Sequence, residues 1–397
     1  MTTHCRSCNY AELNPVLSLG ALPLANAFLT EAQLAEPEPT YPLDVVYCKR
    51  CTLVQLKETV PPERMFTDYP YFSSTSRATV EHARKLVERL IASRRLNKDS
   101  FVVEVGSNDG YLLQHYVASG VPVCGIEPSS NLVDVAECKG IKTLPWYFDR
   151  NTACCFAKEG QPADVIHVHN VLAHAPDIND FVAGLALLLK PDGVLVVEVP
   201  YILDMVNGDA FDNVYHEHVF YFSLSSLFSL FSRHDLRIAS VERMPIHGGT
   251  VRCFVTKGAS KFDSHVADPG GTNTLRYYHS WAARVAAHRL KIRGALHELK
   301  AAGLSIGAYG AAAKGSILLN YCGIDRSTID FVVDNTPAKH FCYMPGSRIP
   351  IYPEDELLNQ QPDYCLLLAW NHEAEIKAKA KEYVRRGGEF IVPGRLT

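Results

Sequence analysis

The hydrophobic positions of the chain fall into three regions with different patterns. In the first, about residues 1–72, apolar runs are short and prolines are frequent, as at 37–39 and 60–62. This pattern predicts loops and a core too small to fold unaided. A helical pattern over 77–96 then leads into the second region, and a longer one over 274–302 leads into the third.

In the second and third regions, short β-rich runs alternate with helical patterns. The predicted strands are 101–105, 121–126, 165–168 and 194–199 in the second region, and 305–308, 329–333, 364–368 and 390–392 in the third. Strands that alternate with helices typically form a parallel sheet that the helices cover. We therefore predict an α/β fold with two such sheets.

The composition agrees with a folded protein. The chain has 397 residues, of which 47% are hydrophobic and 21% are charged. These values indicate two or three domains and exclude general disorder. Lysine and arginine number 39 against 43 acidic residues, which gives a net charge of −4. Without an overall basic field, we expect neither nucleic acid nor an anionic membrane as a partner.

The sequence predicts a cytoplasmic location. The first residues show no charged segment followed by an apolar run, so no secretory signal is expected. No stretch approaches the roughly 20 apolar residues that a membrane helix needs.

Four of the twelve cysteines form two C-x2-C pairs, Cys5 with Cys8 and Cys48 with Cys51. Two thiolates on a tight turn can bind one ion, and two such turns complete a tetrahedral S4 site. Metal binding would offset the entropy of the long intervening loop and let a region with little core fold. We predict a structural Zn²⁺ on these four residues. The alternatives are ordinary reduced cysteines or redox dithiols.

The strand predicted over 101–105 runs into the motif E-x-G-x-x-x-G of residues 104–110. The turn differs from G-x-G-x-x-G, which holds a pyrophosphate at a helix N-terminus. Glu104 and Asp109 would repel a pyrophosphate, but they suit the cationic amino group of S-adenosylmethionine. The alternative is an ordinary strand–turn–helix with solvated acids.

Further residues at strand ends complete this predicted cofactor site. Glu127 follows the next strand, where a carboxylate can accept both ribose hydroxyls, and His169 and Asn170 end a later strand. The predicted cofactor-binding residues are Glu104, Gly106, Ser107, Asn108, Asp109, Gly110, Glu127, Pro128, Asn131, His169 and Asn170.

A cluster of polar and aromatic residues around His216, Glu217 and His218 follows the second region's predicted strands. The spacing is not H-E-x-x-H, so a zinc protease site is not expected. On an extended segment, His216 and His218 would share one face with Glu217 opposed. A histidine oriented by a carboxylate is a suitable general base. The alternative is a polar loop that packs two domains together. His174 also follows a strand end. Considered alone, a histidine in that position is more often a surface residue than a catalyst.

The third region opens with a small-residue turn over 307–315. Strand, turn and helix N-terminus there could hold an anion, with Lys314 available for a phosphate. The turn is not a Walker A loop, because no glycine directly precedes the lysine. An ordinary tight α/β turn is the alternative.

Taken in order, these motifs resemble a known family. The paired cysteines and the segments 104–110, 170–174, 215–218, 247–250 and 309–315 are similar to those of S-adenosylmethionine-dependent sugar C-methyltransferases that act on nucleotide-linked deoxysugars. The resemblance covers nearly the whole chain. It implies a zinc-binding domain over 1–75, a Rossmann-like class I methyltransferase domain over 76–273, and a C-terminal Rossmann-like domain over 274–397 that helps to bind the nucleotide sugar.

The resemblance also implies residue roles and a substrate class. His218 would be the base, with Tyr215, Glu217 and His174 orienting it or polarising the ketone. Tyr69 or Tyr71 would reach in from the zinc-binding domain. The implied substrate-binding residues are His247, Gly248, Gly249, Tyr309, Gly310 and Lys314. The implied substrate is a dTDP-linked keto-deoxysugar, methylated beside its ketone in deoxysugar and antibiotic biosynthesis. Thr250 stands where the family more often has serine, which keeps the hydroxyl.

Three other functions compete with this interpretation. One is a methyltransferase for another acceptor, which would need no enolate chemistry. Another is an NAD(P)-dependent sugar oxidoreductase that uses the turn at 307–315, and the third is a zinc-mediated binding module. The sequence leaves open the sugar, the methylated carbon, the stereochemical course and the oligomeric state.

Overall fold

The computed structural model describes residues 4–65, 71–158, 161–244, 248–258 and 268–395. Within these residues the strands belong to three sheets. Buried apolar side chains from all three regions of the chain form one continuous core.

The first sheet is antiparallel and has the order β1-β2-β3-β9. Its strands are β1 (Leu13–Leu22), β2 (Tyr41–Cys48), β3 (Val54–Leu56) and β9 (Phe220–Tyr221). The prediction of loops for this region was therefore wrong. The short apolar runs are strands that need little core of their own, because they pack on the common core and pair with β9 from the second region.

The four paired cysteines meet beside this sheet. The Sγ atoms of Cys5 and Cys51 are 3.5 Å apart, those of Cys8 and Cys48 are 3.6 Å apart, and all four lie within 4.8 Å of one another. A tetrahedron with Zn–S bonds of about 2.3 Å needs sulfur atoms about 3.8 Å apart. The cluster therefore fits one structural Zn²⁺.

Local backbone geometry shapes both cysteine turns in the same way. Asn9 and Thr52, which directly follow the second cysteine of each pair, have left-handed φ angles of 58°. Gln55, fully buried in β3, donates from Nε2 to the Sγ atom of Cys5 at 3.2 Å. A hydrogen bond from a residue that does not itself bind the metal, such as this one, orients the metal ligand that accepts it.

The central sheet has the order β10-β11-β8-β7-β4-β5-β6. Its strands are β4 (Val102–Val105), β5 (Val123–Ile126), β6 (Thr143–Leu144), β7 (Ala163–His169), β8 (Leu189–Pro200), β10 (Leu236–Met244) and β11 (Thr250–Lys257). The predicted strands are present, and β4 to β8 are parallel. However, β11 is antiparallel to both β8 and β10, so the sheet is mixed. The sequence prediction missed β6, β10 and β11.

The third sheet is parallel throughout, with the order β14-β13-β12-β15-β16. Its strands are β12 (Ile306–Tyr309), β13 (Phe331–Val333), β14 (Ile351–Tyr352), β15 (Tyr364–Leu367) and β16 (Glu389–Ile391). Because the first strand of this region lies in the middle, the loops that end β12 and β15 meet at one edge. The predicted α/β fold class, with a Rossmann-like central region, is confirmed.

Helices cover the two larger sheets. They are α1 (Arg77–Arg94), α2 (Leu113–Ala118), α3 (Ser130–Cys138), α4 (Arg150–Lys158), α5 (Ile178–Leu188), α6 (Ile202–Asn207), α7 (Leu224–Ser232), α8 (Leu275–Ala301), α9 (Ala313–Cys322), α10 (Glu356–Gln360), α11 (Glu373–Lys379) and α12 (Lys381–Arg385). Short 3-10 helices lie at Ala32–Ala35, Pro62–Arg64, Ser73–Thr75, Leu172–His174, Phe211–Asn213, Pro337–Lys339, Trp370–His372 and Pro393–Arg395. Among the described helices, none is both long and apolar enough to cross a bilayer.

Side-chain caps explain where the two long helices begin. Ser76 accepts the N–H of Thr79 at the start of α1, and Thr274 accepts the N–H of Tyr277 at the start of α8. Caps of this kind satisfy backbone donors that have no partner within the helix. Both helices had been predicted close to these positions.

We expect Cys48→Ser to remove the zinc and to unfold the N-terminal sheet locally. Serine is a poor zinc ligand, and a structural zinc can contribute about 10 kcal/mol to folding. Elemental analysis should fall from about one zinc per chain to near none, and proteolysis should cleave within residues 4–65. Cys138→Ser, at an exposed cysteine, is the control and should retain the metal. Full zinc content in Cys48→Ser would contradict the assignment.

Candidate active site

The turn after β4 packs closely on neighbouring parts of the chain and needs glycine. Gly106, Asn108 and Gly110 have φ angles of 68°, 50° and 76°. A Cβ atom on Gly106 would lie 2.3 Å from Cγ2 of Val171, so no side chain fits there. The Gly106 N–H donates to the carbonyl of Ile126 at 2.7 Å, which joins the turn to the end of β5.

Acidic groups lie under and beside this turn. Both carboxyl oxygens of Glu104 are buried without a hydrogen-bond partner among the described residues. Burial raises the pKa of Glu104 well above its ordinary value, and the charge of Glu127 raises it further. Asp109 is hydrogen-bonded to Ser74 and lies 3.2 Å from Nζ of Lys139, while its Oδ1 has no hydrogen-bond partner in the part of the chain that the structure describes. Buried acceptors of this kind fit the amino group of a cationic ligand.

Glu127 lies at the end of β5, as predicted. Its carboxylate accepts the backbone N–H groups of Asn108 and Ser129, each at 3.0 Å. Burial raises the pKa of Glu127, and these two hydrogen bonds oppose that shift. The carboxylate is therefore held in a fixed orientation beside the turn. The neighbouring predicted residues are Pro128, in the link to α3, and Asn131, in the first turn of α3.

His169 and Asn170 lie at the end of β7. They differ in whether their polar side-chain atoms already have partners within the protein. The ring nitrogens of His169 contact His167 at 2.8 Å and Glu198 at 3.2 Å, so protein groups occupy both. Oδ1 of Asn170 is buried and lacks a hydrogen-bond partner among the described residues. Of the two, Asn170 is thus the better ligand-binding residue. The buried chain continues from His167 to the hydroxyl of Tyr116 at 2.9 Å.

A cleft with a cavity of about 190 Å³ opens beside this turn. Its walls include Thr79 and His82 of α1, Tyr111 after the turn, Asn170, and His372 from the third region. A ligand there would contact both the second and the third regions.

The segment that follows the first region packs directly on the turn. Asn108 accepts the N–H of Ser73 at 2.8 Å and donates to the carbonyl of Tyr71 at 3.0 Å. The side chain of Tyr71 is 47% exposed, and its hydroxyl is hydrogen-bonded to the side chain of Thr79. Tyr69 lies outside the described residues.

The segment around His218 is a turn, so the condition of an extended segment, on which His216 and His218 would share one face, is not met. The N–H of His218 donates to the carbonyl of Tyr215 at 2.9 Å, which closes the turn. His216 and His218 therefore do not share a face. His216 contacts the carbonyl of Tyr41 in the first region at 3.1 Å instead. Contacts with residues far away in the sequence hold this turn, so local sequence signals do not reveal it.

The hydrogen bonds of His218 determine which of its nitrogens carries the proton. Its Nδ1 lies 3.1 Å from the carbonyl of Asn213, which can only accept, so Nδ1 is protonated. Nε2 then accepts from the hydroxyl of Tyr215 at 2.8 Å. Burial lowers the pKa of His218 well below its ordinary value, and the charges of His174 and Lys314 lower it further. His218 is thus a neutral imidazole whose lone pair points at Tyr215.

His174 and Glu217 lie next to the pair of Tyr215 and His218. The ring of His174 lies 4.9 Å from that of His218, and its Nδ1 donates to the carbonyl of Glu217 at 2.7 Å. Burial lowers the pKa of His174 to about 4. The Glu217 carboxylate accepts from the amide of Asn26 in the first region at 2.7 Å.

The predicted substrate-binding residues separate into two groups. Gly248 and Lys314 meet at Trp370, whose ring lies 3.7 Å from the position of a Cβ on Gly248 and 4.9 Å from Nζ of Lys314. Gly249 instead packs against Asp204. His247 lies outside the described residues.

Tyr309 and Gly310 have mainly structural contacts. The hydroxyl of Tyr309 donates to Glu354. A Cβ on Gly310, where φ is 98°, would lie 2.6 Å from Cβ of Ala369. Asp334 accepts the N–H of Ala311 at 2.7 Å. The carboxylate of Asp334 thus accepts a backbone N–H of the turn at 307–315, where a phosphate had been considered.

Sequence reasoning missed Trp370 and Asp212. The Nε1–H of Trp370 donates to Oδ2 of Asp212 at 2.5 Å, and this contact links the third region to the turn that carries His218. Trp370 follows the end of β15, and ligands of parallel sheets bind where strands end. That position was the available signal.

Models of known families match each part of the chain. A zinc binding domain matches residues 5–66, a methyltransferase domain matches 77–241, and a C-methyltransferase C-terminal domain matches 245–394.

Similarity to individual proteins is extensive in one case. The C-methyltransferase NovU of Streptomyces niveus is 36% identical over 397 residues, which are 98% of this chain and 94% of NovU. A ubiquinone biosynthesis O-methyltransferase of Bartonella tribocorum is 29% identical over 97 residues, 24% of this chain and 39% of that protein. The structure of magnesium protoporphyrin IX methyltransferase (ChlM) from Synechocystis PCC 6803 with bound SAM covers 45% of this chain and 79% of its own, with 15% identity and a TM-score of 0.35.

The full-length match and the ordered family models confirm the family that the motifs resemble. They also confirm the enzyme class, with S-adenosylmethionine as cofactor and a structural zinc on the cysteine cluster. The chain belongs to the family of S-adenosylmethionine-dependent C-methyltransferases.

Proposed function

We propose that this enzyme methylates the ring carbon beside the ketone of a dTDP-linked keto-deoxysugar. The observation that carries the proposal is the pair of Tyr215 and the neutral His218. A carbon–hydrogen bond beside a ketone ionises only when a base takes the proton and the carbonyl accepts the electrons. Methylation of an oxygen or nitrogen atom would need no enolate.

The hydrogen bonds define how the base acts. Nε2 of His218 is the proton acceptor, and the hydroxyl of Tyr215 lies directly on it at 2.8 Å. The proton from the substrate reaches Nε2 directly or through the Tyr215 oxygen. His174 and the Asn213 carbonyl fix the plane and the tautomer of the imidazole.

The turn after β4 and the end of β5 would hold the cofactor. Glu127 would accept the ribose hydroxyls, and Asn170 and the acids near Gly106 would bind the amino-acid end. The bound cofactor supplies an electrophilic methyl group, which bonds to the substrate carbon as its bond to sulfur breaks. The residues of the chain place that carbon and remove its proton.

The contacts in the third region favour nucleotide-sugar binding over nicotinamide chemistry. The turn at 307–315 packs closely on Ala369, and Asp334 takes the N–H of Ala311. Lys314, in contrast, lies close enough to His218 for its charge to lower the pKa of that imidazole. With the predicted domain boundaries at 75 and 273, the sugar would lie between the second and third regions.

We expect Glu127→Ala to weaken S-adenosylmethionine binding by about 1–3 kcal/mol, because hydrogen bonds to a charged acceptor are lost. Calorimetry measures the change. Asp334→Ala is the matched control, since Asp334 makes the same kind of backbone contacts in the third region. It should bind the cofactor as wild type does. Equal affinity of Glu127→Ala and wild type would place the ribose site elsewhere.

We expect His218→Asn to lower the methylation rate by at least about 100-fold, the lower end of general-base contributions. Cofactor affinity and zinc content should be unchanged. In D₂O with S-adenosylhomocysteine, wild type should exchange the proton beside the ketone, and the variant should not. Exchange that persists in His218→Asn but is lost in Tyr215→Phe would identify Tyr215 as the base.

The pH dependence of kcat should reflect the lowered pKa of His218. The active form is the neutral imidazole, so activity falls as the pH drops through this pKa and the imidazolium forms. Because burial lowers the pKa, the midpoint of the acid limb should lie below 6.5. Rates at saturating substrate from about pH 5 to about pH 8, with circular dichroism as a folding control, test this. A midpoint above 6.5 would contradict it.

A further inference from the structure

Lys314 is a buried cation without a hydrogen-bonding partner. It lies in the first turn of α9, and its Nζ atom is inaccessible to solvent and has no acceptor among the described residues. Burial lowers the pKa of Lys314, and the nearby charge of Asp212 opposes that shift. Its ammonium group lies 4.9 Å from the centre of the Trp370 ring. An unpaired buried ammonium is costly unless a ligand supplies an acceptor.

Two contacts place this ammonium next to the base. The 3-10 helix Phe211–Asn213 accepts the Nδ1–H of His218 through the carbonyl of Asn213. One residue earlier, Asp212 accepts the Nε1–H of Trp370, over which Lys314 lies. The base and the cation are therefore anchored to adjacent residues of one short helix.

We propose that Lys314 donates a hydrogen bond to the ketone oxygen of the sugar and stabilises the enolate, an inference that rests on the function proposed above. The bond between hydrogen and the carbon beside the ketone breaks, and its proton goes to the Tyr215–His218 pair. The electron pair forms a carbon–carbon double bond, and the carbonyl π electrons move to the oxygen. The negative charge then develops next to the ammonium of Lys314.

The geometry favours the ketone over the diphosphate as the group that Lys314 binds. The turn before α9 offers an anion little, since Asp334 takes the N–H of Ala311 and brings its own charge. A donor fixed in a low-dielectric site is most effective where charge develops during the reaction.

The test uses the full-length enzyme with Lys314→Met. Lys339→Met is the matched control, because Lys339 is also a lysine of the third region over an aromatic ring. Its Nζ, however, has an acceptor, the carbonyl of Ala311 at 2.9 Å. Each variant is mixed with a dTDP-4-keto-6-deoxysugar and S-adenosylhomocysteine in D₂O, and proton exchange beside the ketone is followed by NMR. Calorimetry measures the affinity for dTDP alone, and thermal unfolding confirms that each variant is folded.

We expect Lys314→Met to lower exchange at saturating sugar by at least about 100-fold, the range seen for single donors to a developing oxyanion. Its affinity for dTDP should match wild type, and Lys339→Met should exchange normally. If Lys314→Met exchanges normally at saturation but loses dTDP affinity, Lys314 is a diphosphate ligand and the inference is wrong.

A second variant tests whether Lys314 only balances the charge of Asp212. In that case the double variant Asp212→Asn/Lys314→Met would recover the wild-type exchange rate, and the inference would fail. We expect it to remain slow. If wild type itself exchanges no proton with keto-sugars, then the proposed function fails and this inference fails with it. Exchange in wild type and equally in Lys314→Met overturns the role of Lys314 alone.

Discussion

The geometry of the active site depends on hydrogen bonds that tie the segment 211–218 to all three regions of the chain. Glu217 accepts from the first region, Asp212 accepts from the third, and the carbonyl of Glu217 accepts from His174 in the second. These groups are buried, and a buried polar group without its partner costs about 1–3 kcal/mol. The turn therefore reaches its shape only when the three regions have packed, and the orientation of His218 follows from that packing.

The zinc cluster influences the site through the same sheet. Gln55 donates to the Sγ atom of Cys5, and its own backbone pairs with Phe220, two residues after His218. Loss of the metal would thus disturb not only the first region but also β9, the strand that follows the turn at His218. This arrangement explains why a region with few apolar residues of its own contributes to an active site. Its fold is stabilised jointly by the metal and by the core of its neighbour.

The sequence allowed most of the fold to be predicted, and the exceptions share a physical cause. The helix over 275–301 was found within one residue of its ends because its cap and apolar spacing are local signals. The turn at His218 and the contact between Asp212 and Trp370 were not predicted, since residues far apart in sequence determine them. The strands of the first region were missed for a similar reason: they pack against a core that another region supplies.

The central and third sheets share one backbone arrangement but differ in the charges beside it. Gly106 donates to the carbonyl that ends β5, and Gly310 donates to the carbonyl that ends β13, at 2.7 and 2.8 Å. The acids after these strands, Glu127 and Asp334, each accept one N–H of the turn opposite. In the second region, a buried carboxyl lies two residues before the glycine, whereas the third region has alanine there and a buried lysine four residues after it. A cationic cofactor suits the first environment and an oxygen that becomes an anion suits the second. One backbone arrangement, used twice, thus carries a buried acid in the second region and a buried lysine in the third.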